Sequence, residues 1–165
     1  FIYTASRGYL DHHAIERIVP GNWVDVSYTA FGKKECRYLI PNEFELNPDV
    51  EPLDSHPGSV CMGGYGEAGL AGCEFFFPLR DCPDHKGIYP VFGRVLEGMD
   101  EVYRLEKVET VPVTDFPIEG VEVNRPVRPE IIERVELELY GAVYPEPVRV
   151  REPELPECWK DEAAE

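Results

Sequence analysis

Three features of this chain predict a mainly β protein, folded as a closed or nearly closed barrel. Five or six short segments are rich in β-branched and aromatic residues, helical patterns are few, and the connections are long. The 165 residues include 16 prolines, roughly twice the average usage of about 5%, which favours turns and extended loops over a helical bundle. The length fits one domain, and a hydrophobic fraction of 43% with 12% aromatics supplies a core.

Taken in order, Phe1 to Arg7 reads as the last turns of a helix that Gly8 ends as a C-cap. Residues 14–19 and 22–28 are strand-like on either side of Pro20-Gly21, a hairpin or kinked pair. Residues 30–57 hold Pro41, Pro48, Pro52 and Pro57 among polar groups and are expected as loop. Ser59–Met62 and Cys73–Leu79 are strands flanking a glycine-rich loop, and Phe92–Val95 is another. Leu96 to Val108 carries apolar residues at 96, 99, 102, 103 and 105, a helical stripe with Asp100 where the dipole favours an anion. Glu109 to Pro129 is a second long connection. In Ile131–Tyr140, Val135, Leu137 and Leu139 alternate with Arg134, Glu136 and Glu138, the pattern of a half-buried strand. The domain is therefore drawn at residues 1–141. Residues 142–165 form a tail whose prolines and acids predict an extended or disordered segment.

A formal charge of −16 disfavours nucleic acid and anionic membrane surfaces, both of which need Lys and Arg. It favours basic clients through long-range attraction, with simple solubility as the plainer account. No run approaches the ~20 apolar residues of a membrane helix. Cys36, Cys61, Cys73, Cys82 and Cys158 are odd in number and lack a disulfide-framework spacing, so reduced thiols in a cytoplasm are expected. The chain opens at Phe1 without an initiator Met, which reads as a processed chain or a fragment.

Several motifs have plainer accounts. Gly64-Tyr65-Gly66-Glu67-Ala68-Gly69 spells a dinucleotide fingerprint, but an aromatic strand follows where the pyrophosphate needs a helix N-terminus, so a flexible strand-to-strand loop is the better account. Cys82-Pro83-Asp84-His85 has metal-like spacing without the second ligand pair a structural zinc site presents, so no metal or other cofactor is expected. His12-His13 are expected in an exposed loop. Val148, Val150 and Trp159 can dock on the domain itself or on a partner, and self-docking is expected. On a strand, Phe75 and Phe77 share one face and Phe76 takes the other. Periodicity leaves two accounts of Phe76 open: core on both faces, or the floor of an outer pocket.

One ordered set of segments resembles the cyclophilins, most like a divergent bacterial member. It begins with the helix end at Phe1–Gly8 and Ile15-Glu16-Arg17-Ile18-Val19-Pro20-Gly21, then Leu39–Phe44 and His56–Met62. Gly72-Cys73-Glu74-Phe75-Phe76-Phe77, Phe92-Gly93-Arg94-Val95-Leu96-Glu97-Gly98-Met99-Asp100 and the Pro129-Glu130-Ile131-Ile132 strand complete it. The resemblance covers most of residues 1–140. It implies an antiparallel β-barrel with two flanking helices, and peptidyl-prolyl cis-trans isomerase activity on proline-containing peptides or unfolded proteins. Cyclophilins begin with two strands ahead of the point where this chain opens, so a natural N-terminal segment is expected to precede Phe1.

The chemistry so implied is simple. Rotation about an X–Pro bond faces a barrier of about 18–20 kcal/mol from amide resonance. A guanidinium directed at the proline nitrogen localises its lone pair, and arginine stays protonated while presenting rigid donors. A pocket that grips the ring while the preceding carbonyl rotates favours the twisted state. By resemblance Arg17 is the catalytic cation, Phe76 the proline-pocket ring and Trp23 a pocket wall, while Met62, Gly63 and Gly64 end the strand that pairs with substrate. The substrate-binding set is completed at altered positions. Asp25 and Glu74 replace two glutamines, Gly64 an asparagine, His85 a leucine and Tyr89 a histidine, while Asn22 and Asp84 replace aromatics. A surface salt bridge to Glu16 or Asp25 is the structural alternative for Arg17. A non-catalytic peptide-binding or scaffold module is the functional alternative, motivated by the altered, acidic pocket.

Overall fold

In the computed structural model, residues 1–116 and 118–157 are described. Cys158 and Trp159 lie outside the described residues. The chain runs α1 (Ile2–Ser6), β1 (His13–Ala14), β2 (Arg17–Val19), β3 (Trp23–Asp25), β4 (Ile40–Pro41), α2 (Glu43–Leu46), β5 (Ser59–Met62), β6 (Leu70–Ala71) and β7 (Phe75–Pro78). It continues with β8 (Val91–Arg94), α3 (Met99–Glu106), β9 (Thr110–Pro112), β10 (Asn124–Pro126) and β11 (Ile131–Ile132). The fold is mainly β, as the patterning predicts, with a seven-stranded antiparallel sheet in the order β8-β5-β7-β3-β2-β10-β9 and, among the described residues, three α-helices.

Register decides which side chains meet. Ile18 opposes Val24 and Val24 opposes Phe77, a row that faces the core with Phe75, Phe31, Leu10 and Leu39. Burying each such side chain contributes about 1.5–3 kcal/mol. One residue along, Arg17 opposes Asp25, Asp25 opposes Phe76 and Phe76 opposes Cys61, a row across β2, β3, β7 and β5 on the other face. The β2–β3 turn needs Gly21 at φ +74°, and Asn22 N–H closes it on the Val19 carbonyl at 2.9 Å.

Several expectations are corrected. The loop over 30–57 contains β4, α2 and 3-10 turns, and Glu109–Pro129 contains the paired strands β9 and β10. The third helix starts at Met99, not Leu96, whose side chain is 79% exposed; Val102 and Leu105 are the stripe that reaches the core. His13 is buried in β1 against the Thr29 hydroxyl at 3.2 Å, whereas His12 is exposed. Ile131–Tyr140 is a strand only at Ile131–Ile132, where β1 supplies the ladder; beyond it no strand partner lies alongside among the described residues. The half-buried alternation of Val135, Leu137 and Leu139 nevertheless persists. Burial periodicity thus reports a face, whereas a strand also needs a neighbour's hydrogen bonds.

Over its described residues, 142–157, the tail is docked on the domain. Leu39 and Arg151 form an antiparallel bridge, with Leu39 N–H donating to the Arg151 carbonyl and Val150 N–H to the Leu39 carbonyl, both at 2.8 Å. The Arg149 guanidinium lies 4.5 Å from the Tyr38 ring centroid, and Arg151 pairs with Glu67 of the glycine-rich loop. Pro153 and Leu155 are the buried side chains, whereas Val148 and Val150, expected to dock, are exposed. Leu155→Ala is expected to cost about 2–5 kcal/mol in urea unfolding. A cost near zero would show that the tail stands off the core.

Candidate functional site

The outer row of the sheet forms the site. Arg17, Trp23, Asp25, Glu74, Phe76, His85 and Tyr89 line one recess of about 60 Å³. Strands β2 and β3 supply Arg17, Trp23 and Asp25, and β7 supplies Phe76 with Glu74 just ahead of it. His85 and Tyr89 come from the 3-10 turn Pro83–His85 and the residues after it.

Arg17 is held on three sides. Its Nη1 donates to Asp25 Oδ2 at 2.8 Å, and its Nε donates to the Glu122 carbonyl at 2.9 Å. The guanidinium carbon stands 4.8 Å from the Tyr28 ring centroid and 5.8 Å from that of Trp23, within cation–π range. Nη1 is also 4.0 Å from Glu74 Oε1. The Arg17 side chain is 13% exposed and that of Asp25 1%. The ion pair with Asp25 is therefore partly buried, and the surface salt bridge of the structural alternative is not what forms. Nη2 has no protein acceptor among the described residues.

Glu74 is buried as well, somewhat less completely than Asp25. Its Oε2 accepts from the Tyr65 N–H at 3.0 Å. Burial, followed by the negative charge of Asp25, holds its pKa well above the usual carboxylate range. Burial also raises Asp25, opposed by the charge and hydrogen bond of Arg17. Gly63 makes room for this carboxyl: a Cβ built on it would lie 2.2 Å from Glu74 Cδ.

Opposite the charges stands an aromatic wall. Trp23 and Phe76 have centroids 6.3 Å apart, and His85 lies 5.6 Å from Trp23 and 5.7 Å from Phe76. Tyr89 stands edge-on to Phe76 at 5.6 Å and to His85 at 4.8 Å. Phe75 and Phe77 turn inward and pack on each other at 6.0 Å, so Phe76 is the ring that faces the recess. Burial lowers the His85 pKa and raises that of Tyr89, which keeps both neutral near pH 7.

Met62, Gly63 and Gly64 do not line the recess. Gly63 N–H donates to the Glu74 carbonyl at 2.9 Å, and a Cβ on Gly64 would strike the Leu70 carbonyl oxygen at 2.2 Å. Met62 faces a separate groove with Phe1, Val91 and Phe92. The Gly64–Gly69 loop leads into β6 and not into a helix. Cys82 Sγ donates to the Arg80 carbonyl while His85 enters the aromatic wall, so this pair faces different surroundings. No sequence signal marks Tyr28 under Arg17, the Glu122 carbonyl on Nε or the Tyr65 N–H on Glu74, contacts made by the 3-10 turn Tyr28–Gly32 and by two loops.

Comparisons with known proteins agree with this architecture. The sequence model of the family described as cyclophilin type peptidyl-prolyl cis-trans isomerase/CLD matches residues 1–146. The human peptidylprolyl isomerase domain and WD repeat-containing protein 1 is 29% identical over 126 residues, 74% of this chain. The chain spans only 19% of that relative's length. Peptidyl-prolyl cis-trans isomerase CYP18-2 of Arabidopsis thaliana is 33% identical over 128 residues, 76% of this chain and 75% of its own. A crystal structure of a cyclophilin type peptidyl-prolyl cis-trans isomerase from Cryptosporidium parvum superposes with a TM-score of 0.60 at 18% identity, covering 81% of this chain and 78% of that one. At that identity the likeness is one of fold.

Gly63→Ala tests the packing around Glu74. With its Cβ inside the space of the carboxyl, the variant is expected to lose about 1–3 kcal/mol in denaturant unfolding, and an unchanged midpoint would contradict the close approach.

Proposed function

We infer the function from one premise: the chain belongs to the cyclophilin-type peptidyl-prolyl cis-trans isomerase family. The proposed activity is rotation about X–Pro bonds in proline-containing peptides and unfolded proteins. Arg17 is the proposed electrostatic catalyst, Phe76 the ring against which the proline packs, and Trp23, His85 and Tyr89 the walls. One observation carries this: Arg17 and Phe76 line the same recess, and Asp25 engages Nη1 while Nη2 keeps its donors.

A donor aimed at the imide nitrogen stabilises the pyramidal, twisted state more than either planar ground state, and only that difference accelerates rotation. Holding Arg17 by Asp25, the Glu122 carbonyl and the Tyr28 face fixes the guanidinium in advance, so little reorganisation accompanies the reaction. With its side chain largely withdrawn from solvent, Arg17 is screened less than a surface cation would be. No proton transfer, nucleophile or cofactor enters the scheme.

The ion pair with Asp25 motivates a second reading, a peptide-binding module without turnover, since a guanidinium held by a carboxylate presents less charge to a substrate. We further propose basic clients, on the charge of −16. A reducing compartment such as a cytoplasm is proposed as well, on the four buried thiols Cys36, Cys61, Cys73 and Cys82.

Exchange NMR on a proline peptide separates the two readings. Wild type is expected to speed cis/trans exchange, and Arg17→Ala to lose about a hundredfold of that rate, the scale of removing one preorganised donor. Equal exchange with and without wild-type protein would end the enzymatic reading. Binding without exchange would leave the second.

A further inference from the structure

Beside Arg17 lie two acids with almost no access to water and a single cation to compensate them. Their side chains are 1% exposed for Asp25 and 8% for Glu74. We propose that Asp25 and Glu74 share one proton, carried by Glu74, and that this proton keeps Arg17 in its catalytic pose. Glu74 is then a positioning residue, and its ionisation shuts the site. The proposal rests on the isomerase reading given above.

Asp25 Oδ2 is taken by Arg17, while Oδ1 is buried and makes no hydrogen bond of normal geometry, although the Ser27 N–H lies near the carboxyl. The Glu74 carboxyl lies within reach of the Asp25 carboxyl and can donate to it only as the protonated acid. Glu74 Oε2 already accepts from Tyr65 N–H, leaving Oε1 as the hydroxyl end. At 4.0 Å from Nη1, Oε1 is too far away to accept a hydrogen bond from the guanidinium.

The ionisable groups around Glu74 are Arg17 of β2, Asp25 of β3, Tyr28 of the 3-10 turn Tyr28–Gly32, Tyr65 from a loop, Cys73 beside it, and His85 and Tyr89 across the recess. Arg17 is the sole cation among them, and Asp25 has already matched its charge. Two carboxylates this close cannot both ionise without a second cation. As a neutral acid, Glu74 offers one donor and one acceptor, the pattern of a glutamine amide. The residue that resembles the family least in charge therefore matches it in hydrogen bonding.

Loss of the proton places a second negative charge about 4 Å from the guanidinium. Asp25 and Glu74 then repel, Arg17 is drawn between them, and the positive potential over the recess falls. Because the folded state raises the Glu74 pKa, the working form persists below the shifted midpoint and is lost as pH rises through it. Burial shifts His85 downward and Tyr89 upward, and the Glu74→Gln variant separates their titrations from that of Glu74.

The test is the exchange rate of a proline peptide across the whole pH range in which the protein stays folded, with wild type and Glu74→Gln, together with the side-chain ¹³Cδ titration of Glu74 in wild type. Wild-type catalysis is expected to fall by about tenfold with rising pH, which corresponds to about 1.4 kcal/mol. Glu74→Gln, whatever its absolute rate, is expected to show a flat profile. The ¹³Cδ midpoint is expected above the ordinary glutamate value of about 4.3. Superimposable profiles overturn the gating role, and an ordinary ¹³Cδ midpoint overturns the shared proton. Absence of exchange from both proteins at every pH would instead sink the isomerase reading, and the ¹³Cδ titration would still decide where the proton sits.

Discussion

A guanidinium withdrawn from water needs a matched negative charge and a full set of acceptors, or its desolvation outweighs what it contributes. Arg17 meets the charge requirement through Asp25 and part of the acceptor requirement through the Glu122 carbonyl and the faces of Tyr28 and Trp23, which leaves Nη2 to be satisfied by water or substrate. Everything at the site follows from this constraint. Strands β2 and β3 must pair so that Arg17 opposes Asp25, and β7 must then set Phe76 beside Asp25. A one-residue slip of β7 would turn Phe76 into the core and bring Phe75 or Phe77 to the surface. The same register that builds the core therefore builds the recess.

The second acid changes the electrostatics of the site. Glu74 sits in the space that Gly63 leaves open and is tied to the glycine-rich loop by Tyr65 N–H. That loop is tied in turn to the tail through Glu67 and Arg151. A contact made more than eighty residues away along the chain thus borders the strand that carries the site. Loop, tail and recess form one packed continuum, because the bridge at Leu39 and the burial of Leu155 hold the tail against the domain.

Much of this was legible in the sequence, for reasons that differ between residues. Phe75-Phe76-Phe77 had to alternate, so one ring had to differ in facing from the other two, though periodicity alone could not say which surface was the pocket. The β2–β3 hairpin was visible because Pro20-Gly21 is turn chemistry between β-branched runs. The pairing of β9 with β10 was hidden inside a proline-rich connection, where short edge strands leave little pattern. The alternation at Val135, Leu137 and Leu139 overstated the last strand, since burial on one face does not require a ladder partner. His13 was not legible as buried because a two-residue strand, His13–Ala14, gives no periodic signal. The support that Tyr28, Tyr65 and Glu122 give to the site was not legible, because two of the three contacts use backbone atoms that any residue carries.

The central claim is geometric: a partly buried arginine, tethered by one nitrogen to Asp25, still presents its other nitrogen to a proline seated on Phe76. A crystal structure of the chain with a bound Ala-Pro peptide tests it most directly. The account predicts the pyrrolidine ring against Phe76, with Arg17 Nη2 in hydrogen-bonding reach of the prolyl nitrogen or its neighbouring carbonyl, and Nη1 still on Asp25. A peptide seated elsewhere, or an Arg17 with both terminal nitrogens committed to Asp25 and Glu74 while the ring is bound, would contradict it.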